Sequence, residues 1–157
     1  MQSLVNTAVA DGTPPKPRRK RVARVLLADT ALASRLTLKT ILSAAGYAVS
    51  GAATAAEAIG KLDGGEYQLV LADLRAESEE AGPRLLAYAR QKEFRPATAL
   101  IASDMCETGT RPARGNRSHN SAVHISNENV YYLLGRVAEL ISERADRRMR
   151  RALQKAS

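Results

Sequence analysis

The segment that decides the fold is Tyr67-Gln68-Leu69-Val70-Leu71-Ala72-Asp73, a short apolar run that closes on a carboxylate. No polar residue interrupts its part 69–72, which is typical of a parallel strand covered on both faces. Val25-Leu26-Leu27-Ala28-Asp29 repeats the pattern nearer the start of the chain. Both segments therefore predict buried strands, and each strand ends in an aspartate.

Weaker strand patterns and helical patterns alternate along the rest of the chain. Strands are expected to begin near residues 25, 47, 67, 97 and 122. Apolar residues at helical spacing fill all but one of the gaps between them. This repeating order of strand and helix predicts an α/β fold, a parallel sheet with helices on both faces.

Local signals mark the ends of the first three helices. Thr30 is expected to cap the first helix and Gly46 to end it in a left-handed conformation. Thr54-Ala55-Ala56-Glu57 matches a capping box for the second helix. Pro83 suits the first turn of the third helix, because backbone N–H groups in a first turn have no intrahelical acceptor and proline lacks this group.

The gap without a helical pattern is 104–120, whose only clearly apolar residues are Met105 and Cys106. We expect a loop there in place of a fourth helix. The last helix is expected to begin near 127–129. Several of its arginines are expected to form its solvated side: Arg144, Arg147, Arg148, Arg150 and Arg151.

Composition limits the class of protein. The chain has 157 residues, which suits one domain with tails, and its single cysteine excludes an intrachain disulfide. It contains no run of 18 apolar residues and no signal-like start. We therefore expect a cytoplasmic protein that does not span a membrane.

The net charge of +8 is concentrated at the two ends, since residues 1–24 carry +5 and residues 143–157 carry +4. We divide the chain into a basic, proline-rich leader (1–22), a domain (23–142) and a basic extension of the last helix (143–157). The composition of the leader predicts disorder. Basic tails attract nucleic acid without sequence preference, or they only keep a protein soluble.

Polar residues stand at three predicted strand ends: Asp29, Asp73 and Ser103. Ligands of open parallel sheets bind beyond the carboxyl ends of the strands. Burying two carboxylates there costs free energy unless a cation compensates their charge, and Mg²⁺ bound through oxygens would do so. A carboxylate beside such an ion can attack a phosphoryl group. Alternatively, the aspartates only cap the following helices, which suits Asp73 less because the next helix begins near Pro83.

Three segments resemble parts of the receiver domains of two-component response regulators: 25–29, 69–75 and 133–137. The resemblance covers about residues 23–142 and rests on the order and spacing of these segments together. It implies a flavodoxin-like (βα)5 domain with strand order 2-1-3-4-5. The fourth helix of that fold is expected to be degenerate or missing in this chain.

The resemblance also implies roles for individual residues. Asp73 would be the phosphoacceptor, modified by a histidine kinase or phosphotransfer protein. Asp29 and Asp73 would hold Mg²⁺, together with the backbone carbonyl of Arg75. Ser103 or Ala102 falls at the position of the switch hydroxyl.

The chain departs from the family pattern at several of these positions. Thr30 stands where receivers have a second acid, so the affinity for Mg²⁺ should be weakened. The acidic loop 76–81 replaces the Met-Pro turn that follows the phosphoacceptor. Ser126 stands at the position of the missing family lysine, which would contact the phosphoryl group as a point charge. Losing that lysine should weaken the coupling between phosphorylation and conformation.

Neighbouring charged residues provide candidates to replace the missing groups. Glu77, Glu79 or Glu80 is a candidate substitute carboxylate, and Arg75 or Arg111 is a candidate substitute cation. Alternatively, each of these side chains is only a solvated loop charge.

Three hypotheses follow for the function. The first is a stand-alone receiver-like domain in a phosphorelay, which takes a phosphoryl group on Asp73 and signals to an unknown output protein through contacts. The second is a pseudo-receiver, an adaptor that works without phosphorylation. The third is a nucleic-acid-associated protein that uses its basic tails. An enzyme is not expected, because no phosphate-cradling glycine loop and no Ser/Cys-His constellation is present.

Overall fold

The computed structural model describes residues 22–102, 123–126 and 129–156. Strands and helices alternate up to the fourth strand. The elements are β1 (Arg24–Asp29), α1 (Leu32–Ala44), β2 (Ala48–Ala52), α2 (Ala55–Gly64), β3 (Leu69–Asp73), α3 (Ala81–Arg90), β4 (Ala97–Ala102), β5 (Val123–Ser126) and α4 (Val130–Ala156).

The strands form one sheet in the order β2-β1-β3-β4-β5, and every neighbouring pair is parallel. The flavodoxin-like strand order expected from the sequence is therefore confirmed. The expectation of a degenerate fourth helix in 104–120 lies outside the described residues, as does the leader up to residue 21.

The sheet is buried on both faces, which explains why β1 and β3 read as continuous apolar runs. Alternate side chains of each strand enter two separate cores. Leu27 and Leu71 pack in the core covered by α1 and α4. Leu26 and Val70 pack in the core covered by α2 and α3. The central strands therefore have no solvent-facing side, and polar residues do not alternate with apolar ones along them.

The second helix begins at the predicted cap. Thr54 Oγ1 accepts a hydrogen bond of 3.1 Å from Glu57 N, and Glu57 Oε2 accepts one of 3.0 Å from Ala53 N. The Glu57 carboxylate thus accepts from the backbone N–H of the residue before the N-cap, whereas in an ideal capping box it accepts from the N–H of the N-cap itself.

The predicted cap of the first helix is wrong. α1 begins at Leu32, and Ala31 occupies its N-cap without a side-chain bond. Asp29 Oδ1 instead accepts a hydrogen bond of 2.9 Å from Ala31 N, so the aspartate that ends β1 closes the turn that Thr30 was expected to close. The other end agrees with prediction, since Gly46 has φ +100°.

The last helix extends well past the sheet. α4 has 27 residues, and Asn129 Oδ1 caps it by accepting from Tyr131 N at 2.9 Å. Every described residue after Arg144 is exposed. The expectation that Arg144 lies on the solvated side is wrong, because Arg144 is 6 % exposed. No described helix is long and apolar enough to cross a membrane.

Gly46→Ala should lower the free energy of unfolding by about 1 kcal/mol, because an L side chain is strained at this positive φ. Gly60→Ala, inside α2, should raise it by about 0.5–1 kcal/mol, because alanine is the better helix former. A Cβ at either position meets no atom within 4 Å, so both changes isolate the backbone effect. Urea denaturation of the two variants checks the opposite signs; two changes of the same sign would contradict this account.

Candidate functional site

The carboxyl ends of the central strands bring two predicted site residues together. The register of β1 and β3 pairs Asp29 with Asp73. Neighbouring strands lie about 4.8 Å apart, so the two carboxyl side chains share one edge of the sheet. β4 reaches the same edge at Ala102, which pairs with Ser126 at the end of β5.

Asp29 is a buried carboxylate whose two oxygens differ. The residue is 1 % exposed, and Oδ1 accepts the hydrogen bond from Ala31 N. Oδ2 is buried and has no hydrogen-bond partner among the described residues. Arg35 lies nearby, but its Nη1 donates to the backbone oxygen of Asp29 at 2.7 Å. One carboxylate oxygen is therefore left for a further donor or a cation.

Asp73 is more accessible and already has a cationic neighbour. Its side chain is 16 % exposed. Arg75 Nε lies 3.2 Å from Asp73 Oδ1, and Arg75 Nη2 lies 3.5 Å from Oδ2. Arg75 lies in the turn that follows β3, and these two contacts place its guanidinium beside the carboxylate. Arg75 is one of the candidate cations predicted from the sequence, and its side chain contacts Asp73.

A cavity of about 510 Å³ opens beside Asp73, between the ends of β3 and β4 and the start of α3. Gly82 lets α3 pack closely against β4 beside this cavity, because a Cβ there would lie 2.9 Å from Leu100 Cδ2. Charged and apolar residues both line it, among them Asp73, Arg75, Glu79, Pro83, Leu100 and Ile101.

The three glutamates of the acidic loop after Asp73 have different surroundings. Glu77 Oε2 accepts a hydrogen bond of 3.0 Å from Ala55 N, so this side chain holds the loop to the start of α2. Glu80 pairs with Arg84 at 2.6 Å. Of the three candidate carboxylates, Glu79 lines the cavity. The anchoring role of Glu77 had no signal in the sequence, since its partner is a backbone N–H far along the chain.

The remaining predicted positions are less defined. Ser103 and Arg111 lie outside the described residues. Ser126 ends β5, and its backbone lies beside Ala102 of β4. The implied contribution of the Arg75 carbonyl to a metal site stays a prediction.

The residues at this edge suit a weakly held Mg²⁺. The unpartnered Oδ2 of Asp29 and the carboxylate of Asp73 are hard oxygen donors on adjacent strands. Mg²⁺ is often held by one or two carboxylates with water in its other positions. Within the described ranges, no group of three or more His, Cys, Asp or Glu is arranged to hold a metal.

No family model matches the chain. No curated protein matches it either. Solved structures do match, and they include chemotaxis response regulator CheY4 of Vibrio cholerae, with 20 % identity and a TM-score of 0.60 over 76 % of this chain and 98 % of that one.

Two further structures extend the comparison. NtrX from Brucella abortus, solved with ADP, has 18 % identity and a TM-score of 0.67 over 85 % of this chain, which spans only 29 % of NtrX. A chain in the complex of histidine kinase ThkA with response regulator protein TrrA has 23 % identity and a TM-score of 0.59, over 76 % of this chain and 98 % of that one. Together with the sheet order, these likenesses show that this chain has the fold of a response-regulator receiver domain.

Proposed function

We propose that this chain is a receiver module of a phosphorelay and accepts a phosphoryl group on Asp73. One observation carries the proposal: Asp73 ends a buried central strand beside Asp29 and also lines an open cavity. A donor can therefore reach a carboxylate that the sheet holds in a fixed position. The same fold in known response regulators supports this function.

The proposed reaction is a direct transfer. An oxygen of Asp73 attacks the phosphorus of a phosphohistidine in the donor protein, and the phosphorus–nitrogen bond breaks as the new phosphorus–oxygen bond forms. The freed imidazole takes up a proton, and Asp73 becomes an acyl phosphate. Mg²⁺ held by Asp29 and Asp73 would neutralise charge at this edge.

Arg75 has two successive parts in this proposal. Before transfer, its guanidinium neutralises the Asp73 carboxylate. After transfer, its planar fork can donate to the oxygens of the phosphoryl group, a geometry that arginine suits well. Arg75 would thereby take over part of the work of the lysine whose position Ser126 occupies.

The proposed donor is a histidine kinase or a phosphotransfer protein. A structurally similar chain was solved in a complex of a histidine kinase with a response regulator. Leu32 and Leu36 in the first turns of α1 are 60 % and 54 % exposed. They are one helical turn apart, so they share a face, and α1 begins directly after the turn closed by Asp29. We propose this apolar pair as part of the donor contact.

Output is proposed to occur through protein contacts, without a reaction on a small molecule. The cytoplasm remains the expected compartment. A second candidate, the phosphorylation-independent adaptor, is favoured by the ion pair between Arg75 and Asp73. That pair provides a cation for the carboxylate without metal or phosphate.

Incubation with acetyl phosphate and Mg²⁺ should add one phosphoryl group to the full chain, and Asp73→Asn should abolish the addition. Asp146→Asn is a matched control on the exposed part of α4 and should be modified like the parent. Intact-mass spectrometry measures the addition. An unmodified parent protein under these conditions would support the adaptor instead.

Arg75→Ala should tighten Mg²⁺ binding about two- to fivefold, because an exposed ion pair contributes about 0.5–1 kcal/mol and competes for the same carboxylate. Arg84→Ala breaks another exposed ion pair, with Glu80, and should leave the affinity unchanged. Amide NMR shifts around Asp73 during a Mg²⁺ titration report the affinity. Weaker binding by Arg75→Ala would show that the guanidinium supports the site.

Asp29→Asn should raise the free energy of unfolding without Mg²⁺ by about 0.5–1 kcal/mol, because it removes a like charge opposite Asp73. It should also abolish the stabilisation that added Mg²⁺ gives the parent. Asp146→Asn again serves as control and should retain the Mg²⁺ effect. Thermal denaturation with and without Mg²⁺ measures both; equal stabilisation of Asp29→Asn by the ion would exclude Asp29 as a ligand.

A further inference from the structure

The exposed part of α4 forms a groove with the loop that connects α3 to β4. Two adjoining cavities of about 500 and 600 Å³ lie between them and share Arg95, Arg148 and Arg151. We define the basic groove by six of the residues that line it: Arg95, Arg144, Arg147, Arg148, Arg151 and Lys155. It adjoins Ala97 at the start of β4, roughly 17 Å along the strand from the edge that holds Asp73.

Within the described part of the chain, the cations of the basic groove outnumber the carboxylates that line it. None of its six defining residues forms an ion pair with another described residue. Two carboxylates, Glu93 and Glu143, also line the cavities, and they leave a clear excess of cations. Clefts lined by charges of one sign focus the electric field and attract ligands of the opposite charge.

Arg144 shows that the groove is a built feature. Its guanidinium donates from Nε to the backbone oxygen of Arg95 at 3.0 Å and from Nη2 to that of Phe94 at 2.5 Å. The side chain is almost fully buried, and it fixes the loop against the helix. Burial lowers the pKa of Arg144, and the neighbouring charge of Arg148 lowers it further.

The loop itself adopts an uncommon conformation. Arg95 has φ +39°, the one positive φ of a non-glycine residue among the described residues. Such a conformation costs about 1 kcal/mol or more and persists where the surroundings impose it. The bonds from Arg144 to this loop are such a constraint, so the two walls of the groove are held together before any ligand arrives.

We propose that the basic groove binds the sugar-phosphate backbone of a single-stranded nucleic acid. The exposed cations of the helix, from Arg147 to Lys155, span about 12 Å, enough to contact successive phosphates. Arginine forks match phosphate oxygens in pairs.

This proposal narrows the hypothesis of the basic tails to one of them, the extension 143–157, together with Arg95 of the loop. It goes beyond the proposed phosphorelay function. It assigns the contact to named residues with defined positions. Because the groove lies at the opposite edge of the sheet from Asp73, the Asp73→Asn variant should bind nucleic acid like the parent. Failure of one proposal is thereby distinguishable from failure of the other.

The test is fluorescence anisotropy of the full chain with labelled oligo(U) and oligo(dT) of about 12 nucleotides. The groove variant is Arg147→Gln/Arg148→Gln/Arg151→Gln. Its affinity at about 0.1 M salt should fall on the order of 100-fold, and the slope of log affinity against log salt should fall by about 2. All three side chains are exposed, so circular dichroism should show an unchanged fold.

The matched control is Lys39→Gln/Arg84→Gln/Arg150→Gln, which removes three exposed charges that line neither cavity. It should retain affinity within about threefold of the parent. Equal losses in the two triple variants would overturn the proposal in favour of net charge. An unchanged groove variant would overturn it outright. Competition by polyglutamate as strong as that by oligo(U) would also contradict it, because the groove would then accept acidic polypeptide.

Discussion

Parallel pairing of β1 with β3 is the constraint on which the rest of the molecule depends. Because both strands are central, each must bury both of its faces, and only apolar residues can fill them until the strand ends. The register then places Asp29 beside Asp73 at that end. The sheet thus holds the two carboxylates side by side, and that of Asp29 is almost fully buried.

This pairing has an electrostatic cost that the surrounding residues reduce. Asp29 uses one oxygen to close the turn before α1 and leaves the other without a described partner. Asp73 receives the guanidinium of Arg75. Retaining two adjacent acids at the edge of an otherwise apolar sheet is typical of a binding site, where stability is given up for function.

The two edges of the sheet have opposite character. The carboxyl edge holds the aspartates and the cavity beside them, whereas the amino edge of β4 adjoins the basic groove. Arginine serves both edges in different ways. Arg75 is exposed and pairs with a carboxylate, so its contact can exchange for another. Arg144 is buried and donates to two backbone oxygens, so it fixes a loop.

The sequence by itself determined the strands, the parallel α/β class and the positions of the two aspartates, because continuous apolar runs and helix-end signals are local. Two details were misassigned. α1 begins at Leu32, with Ala31 as its N-cap, because the carboxylate of Asp29 closes the turn that Thr30 was expected to close. Glu77 binds a backbone N–H at the start of α2, a partner 22 residues away that local patterns cannot indicate. Only the tertiary structure decided that Arg144 is buried, because helical spacing alone cannot show that a loop 50 residues earlier in the chain presents two carbonyl oxygens to it.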